Sequence, residues 1–216
     1  MTDAAFLPEY FNNKMRRKDL AWNDWNAISK FLSDQIVCRM AVHDEPFPYV
    51  VGQSFRFIEG VFLLHCSRFG KLAGLIRLNQ NVTIEVDHLV ALLKAPKGQN
   101  TSFEYYSVLA RCIVELSDDK EAVRRQQYEV LEKYRPERDY SPIDDFAPTQ
   151  ITVFRCRVVE MSAKKRILAD GQYSPPGQPQ APYIRYPLPP PPAISSLPPG
   201  AFDPYRFSSL KDKPSH

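Results

Sequence analysis

Thirteen of the chain's 20 prolines lie between Pro175 and Pro214, including the run from Pro189 to Pro192. Proline fixes φ and removes a backbone donor, so a segment this dense in it is expected to be polyproline-II-like or disordered rather than a domain. Tyr183, Tyr186, Phe202 and Tyr205 are its candidate anchors on a neighbour. Two other readings stay open: an arm wrapped round a second subunit, and a ligand for a proline-recognition module. The chain therefore divides into an N-terminal arm (1–22), a folded domain (23–168) and a proline-rich tail (169–216).

Within the domain the pattern is mainly strands. Asp24 can cap a short helix in which Trp25, Ile28, Phe31 and Leu32 recur at helical spacing. Val37 to His43, Tyr49 to Phe57 and Val61 to Cys66 read as an antiparallel meander, with turns at Asp44 to Pro48 and at Glu59-Gly60. A helix from Gly70 to Asn79 precedes strands from Val82 to about Val90 and from Glu104 to Leu116. Asp118 opens the clearest helix, which Pro136 ends, and a last strand runs from about Gln150 to Met161. Regular strand-helix alternation is missing, so the expectation is a mainly β fold, a six-stranded antiparallel barrel with flanking helices.

Composition sets limits on partners. A content of 44% hydrophobic and 12% aromatic residues is ample for a packed core. The net charge of +3, without a long basic run, does not imply nucleic-acid binding. Cys38, Cys66, Cys112 and Cys156 are widely separated, with no metal-ligand spacing, and read as buried thiols of a reducing compartment. With neither an apolar signal region nor a run of ~18 apolar residues, no membrane association is implied and a cytoplasmic location is expected.

The segment Val61 to Lys71 carries the chemistry. It leads from an apolar strand through a polar loop into a helix start, where free amides and the helix dipole favour an anion. Ser67, Arg68 and Lys71 add a hydroxyl and two cations. An ordinary capped turn with solvated charges is the plainer alternative. Arg39 shares a strand face with Val37 and Ala41, with the apolar Met40 and Val42 on the other face, and needs a partner, either a phosphate oxygen or a carboxylate such as Glu85 or Asp87. His65 alternates with Val61 and Leu63, and is either a structural histidine or, beside an anion loop, a proton donor.

These residues also carry a resemblance. Met15 to Asp19, Val37 to Val42, Pro48 to Val51, Leu64 to Ser67 with Gly70-Lys71, Asn79 to Val82, Glu85 to Asp87, Tyr105 to Val108 and Ser162 to Arg166 follow one another in this order. In order and spacing they resemble the pyridoxamine 5'-phosphate oxidase-like FMN-binding split barrels, and most of all the nitroimidazole-resistance branch. The resemblance implies a homodimer with FMN in crevices between subunits. It places Val50, Val51, Gln53 and Ser54 along the flavin ring and Arg39, Ser67 and Lys71 near the phosphate end, with Arg68 and Leu72 as further cofactor-binding residues. It also implies His65 near the flavin and the bound acceptor, and Tyr106 and Ser107 on the strand that the partner subunit brings. Gly52-Gln53-Ser54 departs from the family's usual Pro-Leu-Asn-type continuation. No Arg-x-His element stands near the domain's end, which argues against vitamin B6 synthesis.

The function expected from this resemblance is an FMN-dependent reductase. It would take electrons from a nicotinamide-type donor and pass them to a small acceptor, with nitroaromatics as candidates and His65 as the catalytic group. The alternatives are a flavin-binding redox sensor or store without turnover, and a relative that uses haem or a deazaflavin. The tail would contact the other subunit.

Overall fold

The computed structural model describes residues 7–177 and 181–189. The anchors expected at Phe202 and Tyr205, and the proline run beyond Pro189, lie outside the described residues. Asp24 caps α1 (Trp25–Asp34) by accepting the Ala27 N–H at 3.0 Å, and Ile28, Phe31 and Leu32 bury one stripe of that helix. β1 (Val37–Val42) and β2 (Tyr49–Ser54) pair antiparallel from Val37 opposite Ser54 to Val42 opposite Tyr49. β3 (Arg56–Ile58) and β4 (Val61–Ser67) form a hairpin through Glu59 and Gly60. Both turn residues have positive φ (46° and 82°), as the right-handed twist of a two-residue hairpin requires. Gly60 is held twice over, because a Cβ there would lie 2.8 Å from the Tyr10 ring.

α2 (Lys71–Leu78) leads to the long strands β5 (Asn81–Lys94) and β6 (Ser102–Ser117). α3 (Lys120–Tyr134) is capped by Asp119, one residue later than the sequence suggests, with the Ala122 N–H at 2.9 Å. A single turn, α4 (Ala147–Gln150), precedes β7 (Ile151–Arg166). The N-terminal arm runs beside the second half of β7, donating from Asn12 and Trp22 to the carbonyls of Met161 and Ala163 at 2.7 and 3.0 Å. Two strands follow in the tail, β8 (Tyr173–Ser174) and β9 (Tyr183–Pro187).

The six-stranded split barrel expected from the sequence does not form. The strands make one open sheet in the order β2-β1-β5-β6-β7-β4-β3, with β9 added to β5 and β8 to β9, and no ladder joins the end strands β2 and β3. The stretch from Tyr49 to Phe57, expected as one strand, breaks at Phe55. That side chain is fully buried. Its N–H donates to the Tyr134 hydroxyl at 2.9 Å, and the same hydroxyl lies 2.8 Å from its carbonyl, so a side chain takes the backbone groups that a continuing ladder would use.

The sheet has two unlike faces. Met40, Ile84, Ala110, Phe62 and Phe154 point into a core closed by α1 and α2. On the other face α3 covers only the β4–β7 end, where Leu63 and Val153 are buried and Gln126 donates to the carbonyls of Leu64 and Phe154. The remainder is uncovered and exposes Val37, Val50, Leu109 and Ile113, with Val50 at 57%. β9 pairs with Ala91 to Lys94, on the edge of β5 that also carries β1. There Tyr186 lies under Lys94 at 4.9 Å and Tyr183 under Arg166 at 5.6 Å, so these two tyrosines are held within the chain. Among the described residues no helix is long and apolar enough to cross a membrane.

Candidate functional site

Arg39 lies on the uncovered face, opposite Gly52 on one side and Glu85 on the other. Its guanidinium is ion-paired with Asp87, one of the two carboxylates that the sequence offered as alternatives to a phosphate. Val50, Gly52 and Ser54 share this face, whereas Val51 and Gln53 stand opposite Met40 and Cys38 on the core side. Among the described residues β2 pairs with β1 alone, so its outer edge carries backbone groups without a ladder partner there. A Cβ at Gly52 would meet only Val37 Cγ1 at 3.6 Å. The chain's own packing therefore does not demand glycine there, and its effect is a flat strip between Arg39 and the free edge.

Ser107 and Tyr106 are neighbours on β6 and so face opposite ways. Ser107 stands opposite Asp87 on the uncovered face. Tyr106 packs on Trp22 and Phe31, at ring distances of 4.9 and 5.7 Å, as part of the core wall.

At the β4–α2 junction the expected turn forms, with the Gly70 N–H donating to the Ser67 carbonyl at 3.1 Å. Its cations already have partners. Lys71 Nζ is 2.6 Å from Asp44 and 5.2 Å from the centre of the Tyr49 ring, and the hydrogen bond from Lys71 holds the Asp44 carboxyl below its ordinary range. Arg68 Nε is 3.9 Å from Asp118. Leu72 is buried in the core. Tyr49 opposes Val42 and packs on the core, so Lys71 and Arg39 engage carboxylates on different sides of the β1–β2 ribbon. The structure does not bring these two cations together. Asp44 is the residue that sequence reasoning missed, since it reads as part of a turn and only the docking of α2 gives it a partner.

His65 opposes Val153, which in turn opposes Ser117, so the three form a row across β4, β7 and β6 beneath α3. The ring is half-buried and makes no hydrogen bond or ion pair among the described residues. Burial lowers its pKa from 6.5, which keeps the imidazole neutral at pH 7.

Similar folds are found among solved structures. The flavocytochrome Anf3 from Azotobacter vinelandii superposes with a TM-score of 0.67 at 19% identity, over 94% of this chain and 91% of that one. A candidate 5-nitroimidazole antibiotic resistance protein from Bacteroides thetaiotaomicron gives 0.58 at 23%, over 67% and 86%. A FAD and heme binding protein from Mycobacterium smegmatis gives 0.64 at 14%, over 76% and 81%. No curated protein matches by sequence. The family model described as pyridoxamine 5'-phosphate oxidase matches residues 24–165, which span α1 through almost all of β7, and the chain belongs to that family.

Proposed function

We propose that the chain is a flavin-dependent oxidoreductase that binds FMN against the uncovered sheet face. It passes electrons from a nicotinamide-type donor to a small acceptor, with nitroaromatics as the candidate class. The observation that carries this reading is the flat strip at Gly52, bordered by Arg39 and by the unpaired edge of β2. A planar ring can lie on such a strip, and polar atoms on its rim can bond the free backbone groups. When bound, the flavin supplies the electron-transfer chemistry, while the protein orients it and excludes water.

Val50 and Ser54 flank the strip on the same face, with Val51 and Gln53 alternating behind them. Arg39 is assigned to the phosphate end, where it would exchange Asp87 for a phosphate oxygen. Ser67 and Lys71, which the family resemblance assigns to the same end, form with Arg68 a separate cluster at the β4–α2 junction, where each cation would likewise leave a carboxylate to meet an anion. A second copy of the chain covers the exposed Val37, Val50, Leu109 and Ile113 and brings Ser107. His65 holds a proton or hydrogen bond for the acceptor.

The test is the absorption spectrum and mass of the small molecule that copurifies, with the oligomeric state measured by light scattering. Flavin bands, the mass of FMN and a dimer support the reading. A colourless monomer that ignores added FMN ends it. Reoxidation of the anaerobically reduced flavin by a nitroaromatic, faster than that of free FMN, distinguishes a reductase from a flavin store.

A further inference from the structure

Val37, Val50, Leu89, Leu109 and Ile113 leave an apolar surface on the uncovered face, the kind of surface that marks a protein contact. The charges set among them divide into two groups. Arg39 is ion-paired with Asp87, and Arg111 with Glu160 at 3.0 Å. Glu85 and Lys164 have no ion-pair partner among the described residues. Both belong to the same face, because Glu85 opposes Leu109 and Leu109 opposes Ser162, while Asp87 opposes Ser107 and Ser107 opposes Lys164. The N-terminal arm bridges β7 at Lys164 through Ala21, but its nearby carboxylate, Asp19, is held by Arg17 at 2.6 Å.

Glu85 and Lys164 stand two strands and two residues apart, about 12 Å for strands ~4.8 Å apart that rise ~3.4 Å per residue. The point midway between them falls between Ser107 and Leu109 of β6, and Leu109 is 43% exposed. A two-fold axis lying along the face through that point sets Glu85 of each copy over Lys164 of the other, since an isologous contact repeats every pairing. Leu109 then meets its own counterpart beside the axis. Arg157, opposite Ile113 and also without an ion-pair partner among the described residues, would give Glu85 a different axis. That axis passes over Arg111 and sets a guanidinium against its own copy, whereas the first crosses uncharged side chains.

We propose that two copies of this chain dock face to face in one orientation, fixed by reciprocal ion pairs between Glu85 of each copy and Lys164 of the partner subunit, with Leu109 at the centre. This orientation rests on the reading that a second copy covers the face, and goes beyond it by setting the register. Apolar burial supplies the affinity. The charges reject the wrong orientations, because like charges brought together across an interface cost more than an opposite pair gains.

Sedimentation velocity of the full chain measures the dimer dissociation constant for wild type, Glu85→Lys, Lys164→Glu and the double variant. Each single reversal places like charges together twice per dimer and weakens association at least about tenfold. The double variant restores both pairs and returns to within about threefold of wild type, with circular dichroism unchanged. Where Glu85→Lys disturbs β5, Lys164→Glu alone still weakens the dimer and adding Glu85→Gln relieves the repulsion. Single variants that associate like wild type overturn the proposal, as does a double variant that fails to recover. A wild-type monomer, as when another segment or protein covers the face, overturns it too. Flavin content is read on the same samples. Flavin held in a dimer indifferent to these charges defeats the pairing alone, and a charge-specific dimer that takes up no FMN defeats the flavin reading alone.

Discussion

Arg185 of β9 sets its Nε 2.8 Å from the carboxylate of Glu104, a residue only 1% exposed, whose other oxygen accepts the Leu168 N–H at 2.9 Å. The proline-rich tail therefore supplies the cation for a buried carboxylate of the main sheet. Arg185→Met leaves that carboxylate buried and unpaired, and should lower stability by about 3 kcal/mol, since breaking a buried pair from one side costs far more than the pair itself contributes. Adding Glu104→Leu should recover most of the loss. Urea unfolding reads both, and a single variant within about 0.5 kcal/mol of wild type would show that the tail does not anchor the sheet.

Lys133 carries a second buried charge. Its Nζ donates to the Gln35 carbonyl at 2.5 Å and lies 4.0 Å from the centre of the Phe55 ring, and burial lowers its pKa to about 8 from 10.5. Between these values the unfolded chain holds the proton and the folded chain does not, so this group makes stability rise with pH over that window. Burial acts the other way on Cys38 and Cys112, whose thiols are pushed up to about 12, so that stability falls above pH 9. Comparison with Lys133→Met isolates the lysine. Wild type should gain on the variant by on the order of 2 kcal/mol between pH 7.5 and 10. A constant difference across that range would contradict the burial of the charge.

Arg39 and Asp87 test the cofactor site from both directions. If phosphate displaces Asp87, Arg39→Ala should weaken FMN binding by about 1.5 to 3 kcal/mol, while Asp87→Asn, which frees the guanidinium, should strengthen it. Fluorescence titration of FMN into stripped protein measures both. Equal dissociation constants for the two variants and wild type would remove Arg39 from the site.

For His65, the expected phenotype is kinetic. His65→Ala should retain its flavin but reduce acceptor more slowly. Because burial lowers the pKa of this imidazole, a proton-donating role predicts a rate that climbs as pH falls below 6.5, and the substitution should abolish that climb. A wild-type pH profile in the variant would return His65 to a structural role.

Local signals carried much of the fold. Asp24 marks the start of α1, Glu59-Gly60 marks a hairpin, and period-two alternation places Arg39 on the face opposite Met40. Each depends on residues within a few positions, where propensity and patterning act. The break at Phe55 was not legible, because Tyr134, which causes it, lies 79 residues away. For the same reason a strand inside the tail escaped notice. Tyr183 to Tyr186 sit between prolines, and what makes them a strand is the free edge of β5 and the Glu104 carboxylate, 81 residues before Arg185.

By itself the sequence determined the family, most of the strands and helices between α1 and β7, and which side chains share a strand face, since these follow from side-chain type and from periods of two and 3.6. Only the tertiary structure decided that the sheet stays open, that Arg39 and Lys71 are claimed by Asp87 and Asp44, and that α3 closes over His65. Those outcomes depend on which distant groups compete for the same hydrogen bond or charge, and that competition is settled by packing in three dimensions.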